Sequence, residues 1–145
     1  MYSPLTILLV DDDATTNFLN QRLLEQMPEK PEVLVAGNGQ DALALLKTRC
    51  EAPATAACPT LVLLDLHMPV LNGFEFLHAL AQRPHALPHP FVVVLLTTSQ
   101  LDQDLVQAQH LPVTACLTKP LTTAAVQQLL NNYFDRSQPV MGKTL

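Results

Sequence analysis

Short apolar runs in this 145-residue chain end at residues that can hold a metal ion or a phosphoryl group. These residues are Asp11, Asp12 and Asp13 after the first run, Asp65 at the end of the third, Thr97 after the fourth and Lys119 after the fifth. Three or more carboxylates brought together repel one another unless a cation lies between them. Mg²⁺ suits such a group, because it takes a few carboxylate oxygens, keeps several waters and bridges to phosphate. With a lysine and a hydroxyl nearby, the set could bind a phosphoryl group, and an aspartate could itself be the nucleophile.

These residues can act together only if the apolar runs are neighbouring strands. The five runs are Leu5–Val10, Glu32–Ala36, Leu61–Asp65, Phe91–Leu96 and Val113–Leu117. Four are almost continuously apolar, which is typical of strands covered on both faces in a parallel sheet, and the second is the weakest. Helical spacing follows each run, marked in turn by Leu19, Leu23 and Met27; Ala42, Leu45 and Leu46; Phe74, Leu77 and Ala81; Leu101, Leu105 and Ala108; and Val126, Leu129 and Tyr133.

Alternating strands and helices predict an α/β fold, in which helices cover both faces of a parallel sheet. Ligands of such sheets bind beyond the carboxyl ends of the strands, which is where the polar residues stand. Each residue also has an ordinary structural interpretation: the Asp run as a helix N-cap, Asp65 as a turn residue and Lys119 as a surface lysine. Their joint occurrence at the strand ends favours a functional site.

The composition excludes several classes of protein. Apolar residues make up 48% of the chain and charged residues 14%. The net charge is -5, and Lys and Arg do not form the basic cluster that binding to a nucleic-acid backbone requires. No apolar run approaches the roughly 20 residues that span a bilayer, and the N-terminus does not resemble a secretory signal. The three cysteines lack metal-ligand spacing, so we interpret them as reduced structural thiols. We expect a single cytoplasmic domain that binds neither nucleic acid nor a membrane.

The motifs resemble those of the receiver domain of bacterial two-component response regulators. The resemblance covers roughly residues 5–134 and rests on LLVDDD at 8–13, LDLHMP at 64–69 with Asn72-Gly73, and the pairs Leu96-Thr97 and Lys119-Pro120. The Asp-x-x-Met-Pro-x-x-x-Gly spacing is its most specific part. The resemblance implies a flavodoxin-like, doubly wound sheet of five parallel strands in the order 2-1-3-4-5, with five helices. Residues 135–145 would then form a C-terminal tail, which we expect to be mobile.

Four residues are implied by the resemblance to share one Mg²⁺ ion. Asp65 matches the phosphoacceptor, which receives its phosphoryl group from a histidine kinase or a phosphotransfer protein. Asp11 and Asp12 match the acidic pair that holds Mg²⁺ beside Asp65, with Asp12 as the direct ligand. The backbone carbonyl of His67, two residues after the acceptor, would complete the protein's share of the ligands.

The remaining matched positions concern switching. Thr97 matches the hydroxyl that turns toward the phosphoryl group, and Lys119 matches the lysine that pairs with it, in a peptide bond to Pro120 that the family usually holds cis. Asp13 falls outside the acidic pair, so we expect it to cap a helix or face solvent. Cys116 replaces the aromatic residue that the family commonly places three positions before the lysine, which puts coupling through a moving ring in doubt. His67 and Ser99 would line the approach of water to the phosphoryl group.

We expect a single-domain response regulator, because the stretch 135–145 is too short for a DNA-binding module. The resemblance implies a switch and not an enzyme beyond its own phosphorylation and dephosphorylation. It would signal by phosphorylation-dependent binding to a downstream protein or by phosphorelay, through the surface formed by the fourth helix, fifth strand and fifth helix, where a homodimer could also form. Two alternatives stay open. One is a Mg²⁺-dependent phosphatase working through an aspartyl phosphate, since Asp11, Asp13 and Thr15 have the spacing of such enzymes. The other is a receiver-like interaction module that is never phosphorylated.

Overall fold

The computed structural model describes residues 5–50, 60–65, 73–81, 91–97 and 113–134. Its strands are β1 (Thr6–Val10), β2 (Glu32–Ala36), β3 (Thr60–Asp65), β4 (Phe91–Thr97) and β5 (Ala115–Thr118). Its helices are α1 (Ala14–Glu25), α2 (Gly39–Cys50), α3 (Gly73–Ala81) and α4 (Thr123–Tyr133). The helix predicted around residues 101–108 lies outside the described residues, as does the tail 135–145, so α4 is the last of the five predicted helices. Within the described ranges, no helix is long and apolar enough to cross a membrane.

All five strands are parallel and follow the order β2-β1-β3-β4-β5, which confirms the predicted doubly wound α/β fold. The pairing sets the carboxyl ends of the strands level with one another. The paired positions at this edge are Val10 with Leu64, Asp65 with Leu96, and Thr97 with Thr118. Residues at the ends of β3 and β4, and those just after β1 and β5, therefore share one edge of the sheet.

Two apolar clusters, one on each face of the sheet, hold this edge in place. Alternate residues of β1, β3 and β4 enter one cluster or the other, because successive side chains of a strand point to opposite faces. On one face the strands pack against α1 and α4, and on the other against α2 and α3. Phe76 of α3, the largest fully buried side chain among the described residues, belongs to the second cluster. Full burial of a side chain of this kind contributes about 1.5–3 kcal/mol to the stability of the fold. The packed sheet therefore fixes the positions of the groups at its edge.

The edge strand β2 explains why its sequence pattern is the weakest of the five. Among the described residues it pairs only with β1, so it lies at the edge of the sheet. Glu32 and Val35 are exposed and only Ala36 is buried. Such a strand does not need the continuous apolar run of a central strand.

Helix α1 forms where predicted, and Leu23 and Met27 contact the core as their spacing indicates, but Leu19 does not. Leu19 is 59% exposed, and Met27 is buried beyond the end of the helix. The residues of α1 that are buried are Asn17 and Leu24, seven positions apart. One of the two inward-facing positions is therefore polar.

Candidate functional site

Asp11 is bonded at every one of its polar groups. It is 4% exposed, and its N–H donates to the carbonyl of Ala36 over 3.1 Å, which continues the pairing of β1 with β2. Its own carbonyl accepts from Nδ2 of Asn17 at 2.7 Å. Its carboxylate accepts from the Asp13 N–H at 2.9 Å through Oδ1 and from Lys119 Nζ at 3.0 Å through Oδ2. The first acidic residue after β1 is thus held in a single orientation.

Asp13 is the N-cap of α1, in agreement with the sequence prediction. Its carboxylate accepts hydrogen bonds from the Thr16 hydroxyl at 2.7 Å and from the Thr15 N–H at 3.0 Å. These bonds, the one from Thr16 above all, favour the ionised form and hold the pKa of Asp13 below its usual 3.8. Asp13 therefore caps α1, and Asp11 and Asp12 are the acids of this run that can take part in the candidate site.

Asp11, Asp12 and Asp65 form the candidate metal centre. Each offers a carboxylate oxygen, and the three oxygens lie within 4.8 Å of one another. Mg²⁺ binds oxygens at about 2.0–2.1 Å, so ligands on opposite sides of the ion are about 4.2 Å apart, close to what the cluster offers. Asp11 is buried, Asp65 half-buried and Asp12 exposed, so the cluster opens to solvent on the side of Asp12. The three residues fit a Mg²⁺ ion that keeps part of its water shell, while His67 lies outside the described residues.

Lys119 joins the acidic cluster to the end of β4. Its Nζ is 3.0 Å from Asp11 Oδ2 and 3.8 Å from Asp65 Oδ2. Its backbone N–H donates to the carbonyl of Thr97 over 2.6 Å, one residue beyond the end of β5. The bond between Lys119 and Pro120 is cis, as the resemblance implied. The lysine is therefore placed by its backbone as well as by its charge.

The Thr97 hydroxyl is a buried polar group at the end of β4. The residue is buried, and among the described residues its Oγ1 has no hydrogen-bond partner. A buried polar group without a partner costs about 1–3 kcal/mol, so a ligand oxygen that accepted from this hydroxyl would recover the cost.

Cys116 lies on β5 beside Leu95 and packs against the cluster that faces α2 and α3. It is half-buried and not in a disulfide, and burial raises its pKa above the usual 9.0, which keeps the thiol neutral. Its small side chain occupies the position where the family commonly has an aromatic ring. The side chains of Ser99, Cys50 and Cys58 lie outside what the structure describes.

The structure brings together four of the residues singled out from the sequence, Asp11, Asp12, Asp65 and Lys119. Thr97 stands at the same edge, on the strand that pairs with β3. Sequence reasoning missed Asn17, which holds the backbone of Asp11. The available signal was a polar residue seven positions before Leu24, on the inward side of α1.

Comparison with known proteins identifies the family of this chain. The family model of the response regulator receiver domain matches residues 7–131. Response regulator Rcp1 of Synechocystis sp. is 34% identical over 116 residues, which cover 80% of this chain and 77% of Rcp1. The crystal structure of a two-component response regulator from Cytophaga hutchinsonii superposes with a TM-score of 0.77 at 26% identity, covering 93% of this chain and 100% of that one. The phosphorylated cyanobacterial phytochrome response regulator RcpA gives a TM-score of 0.69 at 28% identity, covering 94% and 98%. This chain belongs to the response regulator receiver domain family.

Proposed function

We propose that the chain is a response regulator receiver, which accepts a phosphoryl group on Asp65 in a Mg²⁺-dependent reaction. The donor is a histidine kinase or a phosphotransfer protein in the cytoplasm. The observation that carries this proposal is the position of Lys119 Nζ, 3.0 Å from Asp11 and 3.8 Å from Asp65, beside three clustered carboxylates. A phosphoryl group on Asp65 would meet a cation already in place.

The transfer step needs a nucleophile and charge neutralisation. A carboxylate oxygen of Asp65 forms a bond to phosphorus as the P–N bond of the donor phosphohistidine breaks, and the electron pair of that bond stays on the imidazole. Asp11, Asp12 and Asp65 would hold the ion, and bound Mg²⁺ supplies neutralisation of the phosphoryl oxygens. Lys119 provides a second positive charge within reach of Asp65.

The switch follows from the charge that phosphorylation adds. A phosphoryl group brings negative charge and strong acceptor oxygens into the pocket, which favours movement of Lys119 and of the Thr97 hydroxyl toward Asp65. Because the Lys119 N–H is bonded to the Thr97 carbonyl, the ends of β4 and β5 would move together. Phosphorylation thus selects one of two conformers. The protein would then bind a downstream protein, a further phosphotransfer partner or a second copy of itself through the surface that includes β5 and α4.

RcpA, which shares this fold, has been crystallised in a phosphorylated form, and this supports an acceptor role for Asp65. Cys116 implies that no large ring moves with Thr97 at that position. We therefore place the coupling in the backbone link between Thr97 and Lys119.

Intact-protein mass spectrometry after incubation with acetyl phosphate tests the proposal. We expect the wild type to gain one phosphoryl group with Mg²⁺ and none with a chelator, and Asp65→Asn to gain none. Asp13→Asn is the matched control, because it changes a neighbouring acid that caps α1, and it should be phosphorylated like the wild type.

Other results would point to the alternatives. Wild type that gains no mass from acetyl phosphate or from a phosphorylated phosphotransfer protein would favour an unphosphorylated interaction module. Turnover of an external phosphoester that is lost in Asp11→Asn and kept in Asp65→Asn would favour a phosphatase.

A further inference from the structure

Asn17 has a buried side-chain amide, of which only the nitrogen is hydrogen-bonded among the described residues. The residue is 5% exposed, and its Nδ2 donates to the carbonyl of Asp11 over 2.7 Å. Its Oδ1 is buried too, and within the described part of the chain it has no hydrogen-bond partner. The opposite orientation of the amide would place two acceptors against each other, so Nδ2 must face the carbonyl. An apolar side chain of the same size would avoid the unpartnered Oδ1 but would leave the Asp11 carbonyl without its donor, so the amide at this position serves the backbone of Asp11.

The acceptor of this bond is an unusual one for a helical side chain. The Asp11 carbonyl lies six residues before Asn17, outside the helix that begins at Ala14. The Asn17 side chain therefore reaches back across the first turn of α1 to the point where β1 ends. It joins the helix to the strand through the residue that begins the metal centre.

The Asp11 carbonyl belongs to the peptide unit that links Asp11 to Asp12. Because a peptide unit is planar, fixing the direction of its carbonyl also fixes the direction in which the chain enters Asp12. The N–H of Asp11 is bonded to Ala36, and its carboxylate is bonded to Asp13 and Lys119. None of these three bonds involves the peptide unit between Asp11 and Asp12. The bond from Asn17 is the contact that acts on the carbonyl itself.

We propose that Asn17 is a positioning residue of the metal site: it holds the Asp11–Asp12 peptide so that the exposed Asp12 carboxylate faces Asp11 and Asp65. The inference rests on the proposed Mg²⁺-dependent function. Asn17 does not touch the ion or the phosphoryl group. Asp12 has the most exposed side chain of the three acids, so its position depends on its backbone more than on packing.

Asn17→Leu tests the role, because leucine has nearly the same size and lacks the donor. We expect calorimetric titration to give a Mg²⁺ affinity about tenfold weaker than in the wild type, the lower end of the usual effect of losing a group that orients a ligand. The melting temperature without Mg²⁺ should change little, because removal of the unpartnered Oδ1 offsets the loss of the hydrogen bond to the Asp11 carbonyl. In amide NMR spectra, the signal of Asp12 should move more than signals from α4.

Leu24→Ala is the matched control. Leu24 is the other buried residue of α1, and it packs in the cluster with α4, away from the acidic residues. Its truncation should lower the melting temperature and leave the Mg²⁺ affinity unchanged. Asn17→Ala provides a second removal of the donor, in case leucine is not accommodated.

Mg²⁺ affinity within twofold of the wild type in both Asn17 variants would overturn the inference. An equal loss of affinity in Leu24→Ala would also overturn it, because general loosening of α1 would then explain the effect. A wild type that itself fails to bind Mg²⁺ would remove the proposed function, and this inference with it.

Discussion

Lys119 lies closer to Asp11 than to Asp65, with distances from its Nζ of 3.0 Å and 3.8 Å to the two carboxylates. The Asp11 side chain is only 6% exposed, so water compensates little of its charge and the ammonium takes that role. Asp65 is the more distant of the two carboxylates, and its Oδ2 still lies within ion-pair distance of the lysine. A phosphoryl group on Asp65 would reverse this preference by adding charge on the more distant side.

We expect Lys119→Met to bind Mg²⁺ more tightly than the wild type. The ammonium repels a second cation and occupies Oδ2 of Asp11, and a unit charge near 4 Å contributes about 1–4 kcal/mol, so the gain should be about tenfold or more. Phosphorylation by acetyl phosphate should nevertheless be slower, because the positive charge beside Asp65 is lost. Calorimetry and timed mass spectrometry measure the two effects. Weaker Mg²⁺ binding in this variant would mean that the lysine organises Asp11 instead of competing with the ion.

Mg²⁺ should stabilise the folded wild type. At ten times its dissociation constant, a ligand that binds only the folded state contributes about 1.4 kcal/mol, which corresponds to a melting temperature about 3–5 °C higher for a domain of this size. Asp12→Asn removes one of the three carboxylates and should reduce this shift strongly. The same variant should melt higher than the wild type in the absence of Mg²⁺, because repulsion within the cluster is relieved. Differential scanning calorimetry with and without Mg²⁺ measures both effects. A Mg²⁺-induced shift in Asp12→Asn that equals the wild-type shift would contradict the prediction.

Thr97→Val and Thr97→Ser should separate stability from switching. Valine keeps the shape and removes a buried hydroxyl without a partner, so we expect a variant that is about 1 kcal/mol more stable or unchanged. Serine keeps the hydroxyl and loses a buried methyl, which should cost about 1 kcal/mol. Only the serine variant should keep the conformational change on phosphorylation, followed by NMR of the amides of β5. A full response in the valine variant would exclude a role for the hydroxyl.

The Asp13 cap should make the stability of the protein depend on pH in the acid range. The pKa of Asp13 is lowered by the bonds from Thr16 and Thr15, so the folded state favours the carboxylate. This contribution is fully present above the unfolded pKa and is lost as pH falls from 3.8 through the lower value of the folded state. Asn also caps helices but does not titrate. We therefore expect the advantage in melting temperature of the wild type over Asp13→Asn to shrink below pH 3.8, and a constant difference would contradict the assignment.

Much of the site could be predicted because a parallel sheet places its functional groups where its strands end. The continuous apolar runs of β1, β3 and β4 identify central strands, and the residues that follow them mark the edge. The preference of Lys119 for Asp11 could not be predicted, because it depends on sub-ångström differences that the strand register and the helix packing set together. Asn17 was missed because the inward side of α1 was assigned from the apolar spacing of Leu19, Leu23 and Met27, and of these Leu19 faces solvent.

The level strand ends also constrain how the length of related chains can vary. Asp65 pairs with Leu96 and Thr97 with Thr118, so one residue added or removed inside β3 or β4 would shift a site residue by about 3.3 Å and turn it to the other face of the sheet. Residues added in the chain between α2 and β3 leave both pairings unchanged. Natural insertions and deletions in this lineage should therefore fall in the connections, with the number of residues from the start of each central strand to its polar end kept constant.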